Sequence, residues 1–88
     1  MIRRLVRVTG RVQGVFYRDT CRREARSRDV AGWVANREDG SVEAAFEGSR
    51  DAVESMISWC RRGPAQASVE RMEVSEEEPT GNRDFRIV

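Results

Sequence analysis

The sequence predicts an α+β fold in which one antiparallel sheet carries two helices on a single face. Three observations predict it. Apolar and polar residues alternate at period two over residues 2–9, apolar residues recur at helical spacing over 53–60, and Asp39-Gly40 separates two further alternating segments. The resulting order is strand, helix, strand, strand, helix, strand, which a two-layer domain satisfies by packing both helices against one sheet.

Each element follows from local chemistry. In "IRRLVRVT" (2–9), Ile2, Val6 and Val8 share one side while Arg3, Arg7 and Thr9 take the other, as in a half-buried strand. After a glycine-containing turn, "DTCRREARSRD" (19–29) sets Cys21 and Ala25 at i,i+4 among charged residues. That is a helix whose thin stripe of small side chains lets it lie close to a sheet. Asp19 with Arg23 and Glu24 with Arg28 stand acid-first at i,i+4, each pair contributing roughly 0.2–0.5 kcal/mol, so this helix needs tertiary packing to hold. Asp39-Gly40 suits a tight hairpin, because both turn positions accept positive φ, between strands at about 31–38 and 41–47. There Val42, Ala44 and Phe46 alternate with Ser41, Glu43, Ala45 and Glu47. Ser49 caps a second helix, Asp51 suits its positive end, Val53, Met56, Ile57 and Cys60 form its apolar stripe, and Gly63-Pro64 stops it. "ASVERMEV" (67–74) reads as a fourth strand, "EEEPTGNR" as a polar excursion and "DFRIV" as a short closing strand. The split βαβ, or ferredoxin-like, sandwich (βαββαβ) accommodates this order, with residues 1–88 as one domain.

Composition narrows the function classes. Hydrophobic residues make up 39% and charged residues 35% of the chain, and no apolar run is long enough to cross a bilayer. The N-terminus lacks a secretory signal, so a cytoplasmic protein is expected. All 16 basic residues are arginine, nearly balanced by 15 acidic ones, which argues against a dedicated nucleic-acid binder. No segment matches the basic-Gly-aromatic pattern of RNA-binding strands, the main non-enzymatic use of this strand order. The absence of histidine removes the usual zinc ligand and the usual general base, and no metal or cofactor is expected. Cys21 and Cys60 form no CxxC pair and read as buried thiols, brought near each other if the two helices lie side by side.

The stretch "GRVQGVFYR" (10–18) joins the first strand to the first helix. Successive N–H groups of such a turn can converge into an anion-binding nest, augmented by the unpaired first N–H groups of the helix. Gly14 permits positive φ and close approach of a ligand, Gly10 relieves crowding where the strand leaves the sheet, and Arg18 offers a two-pronged donor. The stretch is neither a P-loop nor GxGxxG, and on pattern alone an ordinary strand-to-helix turn, its glycines serving only backbone geometry, is the commoner explanation. Asn36, near the end of the second strand, carries an amide suited to orienting water or to bonding its own turn.

"VTGRVQGVFYR" (8–18) resembles the first signature of the acylphosphatases, and "GWVANREDGSVEAAFEG" (32–48) resembles their second, with Gly32, Trp33, Asn36, Gly40, Val42 and Gly48 at the family's spacing. The resemblance runs from the first strand to the closing "FRIV". It implies the ferredoxin-like fold and hydrolysis of acyl phosphates to carboxylate and inorganic phosphate. It also implies Arg18 and Asn36 as catalytic residues, and Gln13, Gly14, Val15, Phe16, Tyr17 and Arg18 as the phosphate-binding segment. The partners implied are a small acyl phosphate and product phosphate, with no nucleic acid or membrane, and nothing in the chain demands more than a monomer. Tyr17 stands where the family often has phenylalanine, so its hydroxyl needs a partner. Arg28-Asp29 replaces a common Leu-Gly pair, which sets an aspartate where a left-handed helix terminus favours glycine.

Overall fold

The computed structural model describes residues 1–88. The alternating N-terminal segment forms β1 (Ile2–Arg11), and the chain continues through α1 (Tyr17–Ser27), β2 (Ala31–Asn36), β3 (Val42–Gly48), α2 (Arg50–Arg62), β4 (Ser68–Glu77) and β5 (Phe85–Ile87). The sheet order is β4-β1-β3-β2-β5. β1 pairs antiparallel with β3 and β4, and β2 pairs antiparallel with β3, which is the ferredoxin-like arrangement the sequence predicts. The short β5 adds a parallel pairing to β2, so the complete sheet is mixed.

Both helices cover the face formed by Val6, Val8, Val34, Val42, Ala44 and Phe46. Against it α1 buries Tyr17, Cys21 and Ala25, and α2 buries Val53, Met56, Trp59 and Cys60. Burial of each large side chain contributes roughly 1.5–3 kcal/mol, which is why helices with such polar outer faces remain folded here. Phe46 and Phe85 stack at a 5.7 Å centroid separation, fastening β5 to the core. Cys21 and Cys60 are free thiols within this one cluster, and burial, followed by the neighbouring Cys60 thiol, pushes the Cys21 pKa upward.

The predicted terminators hold with one exception. Ser49 Oγ accepts from Ala52 N at 3.2 Å at the start of α2, and Gly63 closes that helix with φ 69°. The Asp39-Gly40 connection is longer than a two-residue hairpin, because strand pairing ends at Asn36 and Val42. Gly40 takes positive φ but Asp39 does not. The Asp39 carboxylate instead accepts from the Ser41 N–H at 2.9 Å and the Ser41 hydroxyl at 2.6 Å, an Asx-type closure that competes with the tighter turn.

The open face of the sheet holds a polar network that the alternation of β1 and β3 does not announce. Arg3 and Glu47 oppose one another across β1 and β3, 3.0 Å apart and almost fully buried. Arg3 also donates to Glu77 at 2.9 Å and Asn82 at 2.7 Å, while Glu47 accepts the Thr80 and Gly81 N–H groups at 2.8 and 2.7 Å. The excursion before β5 therefore lies over this pair, its own residues exposed and the pair beneath them buried. Burial works to raise the Glu47 pKa, but the Thr80 and Gly81 N–H groups and Arg3 outweigh it and hold the carboxyl below 4.5.

Two stability predictions follow from these features. Asp29 sits in the left-handed region at φ 59°, just beyond α1, so Asp29→Gly should raise stability by about 1 kcal/mol, seen as a thermal midpoint several degrees higher. Glu47→Leu strands most of the Arg3 charge and should cost about 3 kcal/mol in urea unfolding at pH 7, with Glu77 providing the remaining compensation. Because the folded pKa of Glu47 is lowered, its stabilisation is complete above pH 4.5 and is lost as pH falls through the folded value. The gap between the natural protein and Glu47→Leu should therefore narrow on acidification.

Candidate active site

The end of the sheet where β1 and β2 both terminate gathers most of the residues singled out from the sequence. β1 carries a register shift against β4 between Thr9 and Gly10, and Gly10 takes φ 119°. A side chain at Gly10 would run into the Ser68 carbonyl oxygen and the Glu70 nitrogen, so the glycine is required by close approach of β4. The chain then turns through Gly14, at φ 74° with open space where a Cβ would stand, and Phe16, at φ 65° and ψ 26°. Phe16 caps α1 without a side-chain hydrogen bond to the helix.

The main-chain accounting at this turn is unusual. Thr20 N donates to Phe16 O at 3.1 Å as the first α1 bond, and the Tyr17, Arg18 and Asp19 N–H groups precede it. The Gly14, Val15 and Phe16 N–H groups likewise find no backbone acceptor in the protein. A run of donors is left at the positive end of a helix, an arrangement suited to an anion.

Gly14, Phe16, Tyr17, Arg18 and Asn36 line a common cleft of about 350 Å³, joined by Val12, Asp19 and Ile87. Arg18 is exposed and makes no ion pair or side-chain hydrogen bond, although most arginines of the chain reach a carboxylate. Asn36 Oδ1 is buried and has no hydrogen-bond partner within the protein. A buried acceptor of this kind carries a desolvation cost of about 1–3 kcal/mol unless something donates to it.

The remaining candidates divide by role. Gln13 turns its side chain away from the cleft, and its amide donates to the carbonyls of Arg37 at 2.8 Å and Ser41 at 3.0 Å. Only its main chain is free to serve an anion. Val15 is buried and supports the turn from beneath. Tyr17 is buried too, its ring 5.2 Å from Trp59, and its hydroxyl donates to the Cys60 carbonyl at 2.7 Å. Burial is the main reason the Tyr17 pKa is strongly raised.

Sequence reasoning missed Ile87 as a wall of the cleft. Only the parallel register Val34↔Ile87 brings it there, and a three-residue strand at the end of the chain carries no pattern that states its partner. Asp19 was read only as a helix ion-pair residue, a role it keeps through Arg22 at 2.9 Å and Arg23 at 3.6 Å.

Fold and site together define a ferredoxin-like domain with unpaired main-chain donors, a free arginine and an unpaired amide at one sheet end. The Acylphosphatase family model matches residues 4–87. An acylphosphatase of Chloroflexus aurantiacus is 57% identical, the match covering 100% of this chain and 97% of that protein. One from Natronomonas pharaonis is 52% identical over 98% of this chain and 94% of its own length. The crystal structure of acylphosphatase from Bacillus subtilis superposes with a TM-score of 0.95 at 38% identity, covering 100% of this chain and 99% of that one. The chain belongs to the acylphosphatase family and is a hydrolase of acyl phosphates. No helix is long and apolar enough to cross a membrane.

The hydroxyl bond of Tyr17 yields a prediction about how the site is anchored. Tyr17→Phe keeps the ring packing on Trp59 but leaves the Cys60 carbonyl without this donor, and should cost about 1 kcal/mol in chemical denaturation. A loss below about 0.3 kcal/mol would show that the bond contributes nothing net.

Proposed function

We propose that this enzyme cleaves acyl phosphates by in-line attack of water on phosphorus. The phosphoryl group is held by the main chain of residues 13–18 and the Arg18 guanidinium, and the water is oriented by Asn36. One observation carries the reading: Gly14, Phe16, Tyr17 and Arg18 with their unpaired main-chain donors, the unengaged Arg18 side chain and Asn36 with its orphaned Oδ1 line a single cleft.

The chemistry suits that set of groups. Water oxygen bonds to phosphorus as the phosphorus–oxygen bond to the acyl group breaks, and the electron pair leaves on a carboxylate. Because a carboxylate is already a stable anion, the leaving oxygen needs no strong acid. Catalysis then rests on positioning and on stabilising charge at the equatorial phosphoryl oxygens. Preorganised N–H groups at a helix start and a planar guanidinium supply that stabilisation without rearranging during the reaction. Asn36 Oδ1 accepts one hydrogen of the attacking water and sets its lone pair toward phosphorus. An amide does not remove the proton, so a phosphoryl oxygen of the substrate receives it. The two free, buried cysteines suit a reducing compartment, which supports a cytoplasmic location.

Benzoyl phosphate hydrolysis in the presence of EDTA tests the scheme. Arg18→Ala should lower kcat/KM by about 100- to 1,000-fold, the range for loss of a transition-state donor. Asn36→Ala should lower kcat by about 100-fold with little change in KM, since its interaction is with water rather than substrate. Inorganic phosphate should inhibit competitively, and about tenfold more weakly in Arg18→Ala. Equal rates in the natural protein and both variants would overturn these assignments.

A further inference from the structure

On the reading above, the phosphoryl group and the attacking water sit in the cleft, and the acyl half of the substrate extends from them. We infer that the acyl group lies across the Phe16 ring into the groove beyond it, and that Phe16 and this groove select apolar acyl groups. The inference rests on the phosphoryl position proposed above.

Phe16 is 71% exposed, yet its backbone is held in the left-handed region at φ 65°. A bulky residue in that conformation is a genuine outlier, and here burial of the ring does not compensate it. Its position is informative. Beside the cleft lies a second groove of about 290 Å³, walled by Val15, Thr20, Arg23, Pro64, Ala65 and Gln66, and the two spaces share Phe16 and Asp19. Asn36 lines the first space and not the second.

In-line displacement sets the entering water and the departing acyl oxygen on opposite sides of phosphorus. With water held at Asn36, the acyl group departs on the other side, across the residue that joins the two spaces. The exposed ring then meets the carbons next to the acyl carbonyl, and Pro64 and Ala65 meet those further out. The charged groups of the rim engage one another, the Asp19 carboxylate with Arg22 at 2.9 Å and with Arg23 at 3.6 Å, so the rim does not call for a charged acyl group. An aromatic or branched aliphatic acyl group matches the Phe16 ring and the Val15, Pro64 and Ala65 side of the groove.

The test compares kcat/KM for benzoyl phosphate with that for acetyl phosphate. Phe16→Ser and Phe16→Gly should each lower the benzoyl-to-acetyl ratio by about 5- to 10-fold, a loss in the range that apolar contacts confer on specificity. Phe16→Gly suits the positive φ better and should also raise the thermal midpoint, which separates lost selectivity from a damaged fold. Ala65→Glu leaves residues 13–18 unaltered, places a carboxylate in the groove, and should lower the same ratio. A ratio within twofold of the natural value in the Phe16 variants would overturn the inference. A ratio that falls in those variants but not in Ala65→Glu would overturn the groove as the acyl site. If the natural protein hydrolysed neither substrate, the proposed mechanism would fail first, and the acyl site with it.

Discussion

The site depends on the register of β1, β3 and β2. β1 and β2 both run antiparallel to β3, so they run in the same direction and end at the same end of the sheet. Val42 is the rung they share, opposite Val8 on one side and Asn36 on the other. Alternation then places Asn36 on the same face as Gly32 and Val34, the face that α1 covers and where its N-terminus begins. A slip of one residue would turn Asn36 to the open face and bring Trp33 and Ala35 to the covered one. The buried Val6, Val8, Val34 and Val42 resist that slip from one face, and the Arg3–Glu47 pair resists it from the other.

With the rung fixed, the turn after β1 is tied at both ends. The Gln13 amide binds it to the Arg37 and Ser41 carbonyls, immediately beyond Asn36, and the Tyr17 hydroxyl binds it to the last turns of α2. Gly14, Val15 and Phe16 lie between these anchors. Their N–H groups stay unpaired because the left-handed residues Gly14 and Phe16 turn the chain into neither a strand nor a helix. Donors held this way by side chains that never touch a ligand need no reorganisation when negative charge develops. Gln13 thus works from outside the cleft, coupling the anion-binding turn to the hairpin that carries the amide.

Much of the fold is legible because it is written at short range. The valine alternation of β1, the Ser49 cap and the Gly63 stop each involve residues within a turn or two of one another. The glycines of the 10–18 turn are legible for the same reason, since positive φ is a property of one residue. What the sequence does not express is set by partners distant in the chain: Gln13 with Arg37 and Ser41, Arg3 with Glu47 and Asn82, and Ile87 beside Val34. The Asp39-Gly40 turn deceived for a different reason. The dipeptide suits a two-residue hairpin, but the aspartate side chain found better acceptor geometry toward Ser41 than its backbone would have found in the left-handed region. Residue type alone could not single out Arg18 among 16 arginines; the motif around it did.

Ten of the 16 arginines reach a carboxylate, and of the six that do not, Arg18 alone lines the cleft. Arg3 is taken by Glu47, Arg7 by Asp39 and Glu73, Arg26 by Asp84, and Arg37 by Glu43. The carboxylate closest in sequence to Arg18, that of Asp19, is engaged by Arg22 and Arg23 instead. Its repulsion of an incoming anion is thereby reduced, while the Arg18 guanidinium stays free for it. The groups gathered in the cleft include main-chain N–H donors, an amide and a guanidinium, beside the engaged Asp19 carboxylate. Tyr17, the nearest phenol, is buried with its pKa raised, and the chain has no histidine. On the reading proposed above, an incoming anion meets preorganised donors rather than an imidazole or a phenol that exchanges a proton with it.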